Sequence, residues 1–173
     1  MARIRSFPPI AGANAHTLIL GTMPGVASLA AAQYYAHSRN GFWAIFARLL
    51  GFDVQLDYPL RVQRLLGAGI AVWDVLHSCE RTGSLDARID PASIVVNDFN
   101  AFFREQPEIV RVCFNGATAQ ALFRRHVMPT LDDAERLTYV RLPSTSPANA
   151  GMALSQKIDA WHTVVARSPP CLR

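Results

Sequence analysis

The chain has 173 residues, half of them hydrophobic, which suits one domain with a full core and no need of metals or disulfides to hold it. No apolar run is long enough to span a bilayer, and the opening MARIRSFPPIAG carries basic residues with no apolar segment behind them, so neither a membrane span nor a secretory leader is expected. The net charge of +4 and the sequence pI of about 9.3 permit a polyanionic partner without requiring one.

In chain order, short apolar runs alternate with helical patterns. His16–Gly21 (HTLILG) predicts the first strand of the core. Phe42, Ile45, Phe46, Leu49 and Leu50 recur at helical spacing before a stop at Gly51, and a second helix is predicted over Pro59–Gly67. Gly69–Leu76 (GIAVWDVL) predicts a second strand. A helix over Asn97–Glu105 gathers Phe99, Phe102 and Phe103 on one face. Ile109–Asn115 predicts a third strand, a helix runs from Gly116 to before Pro129, and Leu137–Pro143 predicts a fourth strand. The last helix is predicted over Ala153–Ala166. One domain over residues 1–168 is expected, with a disordered tail at 169–173 after Pro169-Pro170. Strands this apolar, separated by helices, imply a three-layer αβα fold around a four-stranded parallel sheet.

In such sheets a ligand sits beyond the carboxyl ends of the strands. That rim is made of four loops: Thr22–Gly41, Asp74–Asp90, Asn115–Thr118 and Ser144–Gly151. The first opens with a tight Gly21–Gly25 turn (GTMPG), and then Tyr34, Tyr35, Phe42 and Trp43 bracket His37, Arg39 and Asn40. Those rings offer stacking faces for a planar ligand, although Phe42 and Trp43 also suit a helix core. Asp74 ends a buried strand, where a carboxylate is costly unless it is paired or working. Arg81 and Ser84 suit either phosphate binding or a loop clamp. The fourth loop, LPSTSPANAG, is rich in hydroxyls and stiffened by two prolines. The rim has no GxSxG, Walker loop, HExxH, GxGxxG or Cys-His pair, and Cys79, Cys113 and Cys171 lie far apart. No metal and no cofactor are expected, and unpaired thiols fit a reducing cytoplasmic compartment. The remaining amides, hydroxyls, carboxylate and aromatics suit a flat polar heterocycle and an oriented water.

In order, G-[ST]-x-P-G, YY-A-H-x-R-N-x-F-W, WD-V-x5-R-x-GS-x-D, FNG-x-x-A and P-S-T-SP-A-N occur at Gly21–Gly25, Tyr34–Trp43, Trp73–Asp86, Phe114–Ala119 and Pro143–Asn149. Each is weak alone. Together, over roughly Thr17 to Trp161, they resemble the hypoxanthine-DNA (deoxyinosine) glycosylase branch of the uracil-DNA glycosylase superfamily. The resemblance implies a glycosylase that flips a deaminated base out of DNA and hydrolyses its N-glycosyl bond, with hypoxanthine preferred and uracil or xanthine as further candidates.

The resemblance also assigns roles. Asn40 supplies the catalytic amide, because Met23 stands where the mismatch-specific branch has its Asn. Asp74 takes the place of the base-reading Asn, and an ionised carboxylate there would accept the N1–H of hypoxanthine. Gly21, Thr22, Met23, Phe42, Trp43 and Asn115 would contact the base, with stacking at Phe42 or Trp43. Arg81, Ser144, Thr145, Ser146, Pro147 and Asn149 would contact DNA. The last loop aligns with the superfamily's H-P-S-P-L-S in two registers, with Leu142 or Ser144 at the His; the first keeps the P-S turn, and neither supplies a His. Ser146, Pro147 or Asn149 would then fill the gap left by the flipped base. Lys157, the only lysine, falls in the last helix and outside these motifs, so a monofunctional enzyme is expected. A monomer acting on DNA is the expected state. A free-nucleoside hydrolase and a non-catalytic DNA-lesion binder on the same fold are the alternatives.

Overall fold

A segment apolar at every position, such as Thr17–Gly21, is stable as a strand only when both faces are covered. The computed structural model describes residues 3–166, and in it all five of these residues are buried. The strands are β1 (Arg3–Arg5), β2 (Thr17–Gly21), β3 (Ile70–Asp74), β4 (Leu76–Glu80), β5 (Val95–Val96), β6 (Arg111–Asn115) and β7 (Thr138–Leu142). The helices are α1 (Val26–Ala31), α2 (Phe42–Leu50), α3 (Tyr58–Gly67), α4 (Phe99–Glu105), α5 (Ala117–His126) and α6 (Leu154–Trp161). The main sheet has the order β3-β2-β6-β7 with every pairing parallel, as the four apolar runs predict.

Helices cover both faces. On one, Trp73 of β3 packs on Phe99 and Phe102 of α4, and Phe114 of β6 packs on Phe123 of α5. On the other, Phe42 and Phe46 of α2 both meet Trp161 of α6 edge-on, and Trp43 meets Tyr58 of α3. Successive residues in a strand point to opposite faces. Since Trp73 and Phe114 face α4 and α5, their neighbours Asp74 and Asn115 turn toward the α2 side at the carboxyl end of the sheet. Register places Gly21 beside Asp74.

Several elements differ from expectation, the short strands β1 and β5 among them. The second predicted strand breaks at Val75: Asp74 ends β3, and Leu76 begins β4 in a separate antiparallel sheet of order β1-β4-β5. A continuous apolar run hides this because its residues are buried in either sheet. Val75 N–H still donates to Gly21 O (2.8 Å) and Leu76 N–H to Thr22 O (3.1 Å), so the chain leaves the main sheet only after passing β2. The last helix ends at Trp161 and tightens into a 3-10 turn over His162–Val164. The short α1 has too little periodicity to be read from sequence. The tail expected at 169–173 lies outside the described residues.

Candidate functional site

The rim residues separate into two connected groups. The first is a buried constellation at the ends of β2, β3 and β6. A Cβ added to Gly21 would lie 2.5 Å from Asp74 Oδ1 and 3.1 Å from the Tyr35 hydroxyl, so only glycine lets these groups converge on the backbone. Asp74 is 4% exposed, and its Oδ2 has no hydrogen-bond partner. Burial pushes its carboxyl up to about 8; the nearby Asp86 charge adds to the rise and Arg81 partly opposes it. The shift favours the protonated form of Asp74 toward neutral pH. A neutral carboxyl both donates and accepts, whereas the ionised acceptor expected from sequence only accepts.

Tyr35 faces the same point. Its hydroxyl is buried; burial first, then the Asp74 charge, raises its pKa, and the nearby Asn115 amide opposes the rise. Its backbone has φ of 56°, a left-handed conformation that a bulky residue adopts only when its surroundings hold it there. The holding contact is Phe42, whose ring stacks on Tyr35 with centroids 3.9 Å apart and planes within 14°.

That stack changes the reading of the aromatic residues. Phe42 is fully buried, and Tyr35 covers the face that was expected to receive a base. Trp43 is buried too, its indole N–H donating to Tyr34 O (2.9 Å), with the Arg61 guanidinium 4.8 Å from its ring centroid. Both residues belong to the core, and the ring nearer the rim is Tyr35, itself half-buried. Helical periodicity shows which aromatics start a helix, but it carries no sign that a neighbouring loop residue will stack on them. Thr22 and Met23 are buried beneath the same turn, Met23 within the hydrophobic cluster.

The second group lines an open cleft of about 420 Å³. Its walls include Asn40, Arg39 and Ser38 on one side and Ser146, Pro147, Asn149 and Lys157 on the other. Asn40 Oδ1 accepts from Phe42 N–H (3.0 Å) and Asn40 N–H donates to His37 O (2.8 Å), which fixes the amide at the start of α2. One Oδ1 lone pair and the Nδ2 hydrogens remain for a ligand or water. Met152 and Leu154, both exposed, form an apolar lip that sequence patterning did not mark.

Thr145 joins the groups. It is 1% exposed; its N–H donates to Asn115 Oδ1 (2.8 Å), and Asn115 Nδ2 donates to Thr145 Oγ1 (2.9 Å). Gly41 N–H, next to Asn40, donates to Thr145 O (2.9 Å). Thr145 thus clasps the last loop to β6 and to the Asn40 turn and does not face a DNA strand as expected. Ser144 Oγ accepts from Ser146 N–H (3.2 Å), and Asn149 Nδ2 donates to Ser144 O (3.0 Å), which stiffens the loop further. A Cβ on Gly116 would meet Ser144 Cβ at 3.0 Å, so the β6–α5 turn and this loop pack closely.

Arg81 is likewise committed. Its side chain is buried, donating from Nε to Gly83 O (2.9 Å) and from a terminal nitrogen to Pro24 O, with Asp86 Oδ1 at 3.8 Å. Ser84 Oγ accepts from Val26 N–H (3.0 Å). The guanidinium ties loop two to the Gly21–Gly25 turn and is not presented to a phosphate. The same contacts leave Asp74 out of the loop clamp.

The match to known proteins covers nearly all of this architecture. The family model "Uracil DNA glycosylase superfamily" matches residues 8–165. The chain belongs to this superfamily. It is 32% identical over 161 residues to a hypoxanthine DNA glycosylase of Methanosarcina acetivorans, covering 92% of this chain and 96% of that one. A hypoxanthine DNA glycosylase of Methanosarcina barkeri is 35% identical over 113 residues, 65% of this chain and 70% of the other. A solution NMR structure of a candidate uracil DNA glycosylase from Methanosarcina acetivorans superposes with a TM-score of 0.79 at 27% identity, covering 95% of this chain and 97% of that one. The fold is that of the uracil-DNA glycosylases, and the chain is a DNA glycosylase that hydrolyses an N-glycosyl bond. No helix among the described residues is long and apolar enough to cross a membrane.

Proposed function

We propose that this glycosylase excises hypoxanthine preferentially, reading the flipped base with a neutral Asp74 carboxyl and attacking with a water held by Asn40. The observation that carries this reading is the buried Asp74 carboxyl, whose Oδ2 has no hydrogen-bond partner, beside the half-buried Tyr35 ring; burial favours its protonated form. Hypoxanthine presents N1–H beside a C6 carbonyl. A neutral carboxyl matches that pair, its C=O accepting from N1–H and its O–H donating to O6. Tyr35, backed by Phe42, offers the free ring face for the base.

Extruding the nucleotide costs a few kcal/mol, least for a mispaired base such as hypoxanthine opposite T. As the glycosidic bond breaks, the sugar becomes oxocarbenium-like and electron density moves into the purine toward O6. The Asp74 O–H bond to O6 therefore strengthens in the transition state, which is the condition for it to accelerate the reaction. Asn40, on the cleft side of the Thr145 clasp, uses its free Oδ1 lone pair to orient water toward C1′. Ser146, Pro147 and Asn149, which line the cleft, fill space beside the extruded nucleotide. Arg81 and Thr145 act as positioning residues that hold the loops.

Single-turnover excision from matched duplexes carrying inosine, xanthine or uracil tests the reading. Inosine should be cleaved fastest, with a rate that falls as pH rises through about 8. Uracil cleaved faster than inosine, or a rate that climbs through that range, refutes it.

A further inference from the structure

The cleft beside Asn40 holds a charge that the glycosylase reading does not use. Lys157 is the only lysine in the chain. It lies on α6, is 7% exposed and lines the cleft. Nζ donates to Asn149 O at 2.9 Å. An ammonium has three N–H donors, so two remain. Among the described residues no carboxylate pairs with it; the ion pairs there are Arg81–Asp86 and Arg104–Asp132. Among the described residues the cleft lining contains no Asp or Glu. It contains a second cation, the exposed Arg39, and the neutral donors Ser38, Asn40, Ser146 and Asn149.

Partly withdrawing a cation from water without a counter-charge is unfavourable, and this desolvation lowers the Lys157 pKa. A neutral carbonyl offsets only part of that cost. An anion entering the cleft would supply the remainder, and the cleft is open to solvent and large enough to admit a phosphate group.

We propose that Lys157 and Arg39 form a phosphate site that takes a backbone phosphodiester of the DNA strand being repaired. The inference rests on the glycosylase reading for the identity of the polyanion, and it assigns binding contacts to Lys157, outside the family motifs, and to Arg39, within them. The Asn149 carbonyl holds the ammonium in place, so the two remaining donors arrive pre-aimed. Arg39 reaches the same anion from the opposite wall. Binding of the strand would thereby also brace the Ser146–Asn149 segment against Asn40.

The test measures affinity for a duplex carrying a tetrahydrofuran abasic analogue across a salt series, for the wild type, Lys157→Met, Lys157→Arg and Arg39→Gln. Met keeps the packed stem and removes the charge. Each neutralised contact should lower the magnitude of the log–log salt slope by about 0.9, so Lys157→Met and Arg39→Gln should each lose about that much and Lys157→Arg should lose little. Replacing single phosphodiesters around the lesion by uncharged methylphosphonates should reveal one position that weakens the wild type and leaves Lys157→Met unaffected. Arg39 is exposed and makes no side-chain contact that the fold needs, so its variant tests the site even if Lys157→Met melts early. Unchanged slopes in both neutral variants, with no such phosphate position, overturn the inference. Competition by millimolar inorganic phosphate with unchanged slopes would assign the site to free phosphate and overturn it as well. Wild-type excision of inosine is measured in the same samples. Its absence refutes the proposed function, whereas excision with unchanged slopes refutes only the phosphate site.

Discussion

Replacing Asp74 by Asn separates a neutral carboxyl from an ionised one. The wild-type carboxyl titrates near 8 in the folded protein, against 3.8 for the unperturbed group. Folding therefore holds a proton that the unfolded chain releases above about pH 4. The contribution is fully present below the unfolded value and is lost as pH rises toward the folded one. At pH 7 the gap of roughly 3 pH units corresponds to about 4 kcal/mol of lost stability. Asn has nearly the same shape and does not titrate. Asp74→Asn should therefore be more stable than wild type at pH 7, by at most about 4 kcal/mol because the buried amide carries its own desolvation cost. For a chain of this length that limit is a rise in Tm of about 8–16 °C. At pH 4 the two curves should meet. Thermal melting of both proteins from pH 4 to pH 9 reads this directly. In single-turnover assays the variant should keep most inosine excision, because an amide also donates and accepts, and the alkaline fall near 8 should disappear. Melting curves that stay parallel across the pH range, or an Asn variant that loses inosine excision while retaining uracil excision, would refute a neutral Asp74 and restore the ionised acceptor.

Asn40→Ala should lower single-turnover excision by roughly two orders of magnitude or more while leaving duplex affinity nearly unchanged; near-wild-type rates would remove Asn40 from the reaction. Gly21→Ala should abolish inosine excision, because its Cβ would collide with Asp74 at 2.5 Å, and excision within about threefold of wild type would show that Asp74 is not held against this turn during catalysis. Borohydride added during turnover should trap no covalent protein–DNA complex, since Lys157 is held by Asn149 as a charged donor; a trapped complex lost in Lys157→Met would overturn the monofunctional mechanism.

The four strands of the main sheet were legible because each is a run of apolar residues buried on both faces, and α2 was legible from its spacing and from Gly51, whose φ of 69° ends it. The same residues fixed which loops form the rim, and the order of motifs along it marked the superfamily. Local pattern could not decide what each side chain does there. Asp74 reads from sequence as a costly carboxylate; only packing around it determines that the cost is met by keeping a proton. Phe42 is equally suited to stacking or to the core, and Tyr35, held in a left-handed conformation, decides it. Arg81 and Thr145 look like surface contacts in a polar loop, yet both are buried clasps, because the backbone carbonyls and amide they satisfy come from segments far away in the chain. Lys157 has no motif to announce it, since its position in the cleft arises from α6 packing back on α2. Periodicity and turn chemistry are set by neighbours a few residues apart, so the sequence shows them. Protonation, exposure and convergence depend on groups brought together from distant segments, and only the tertiary structure supplies those.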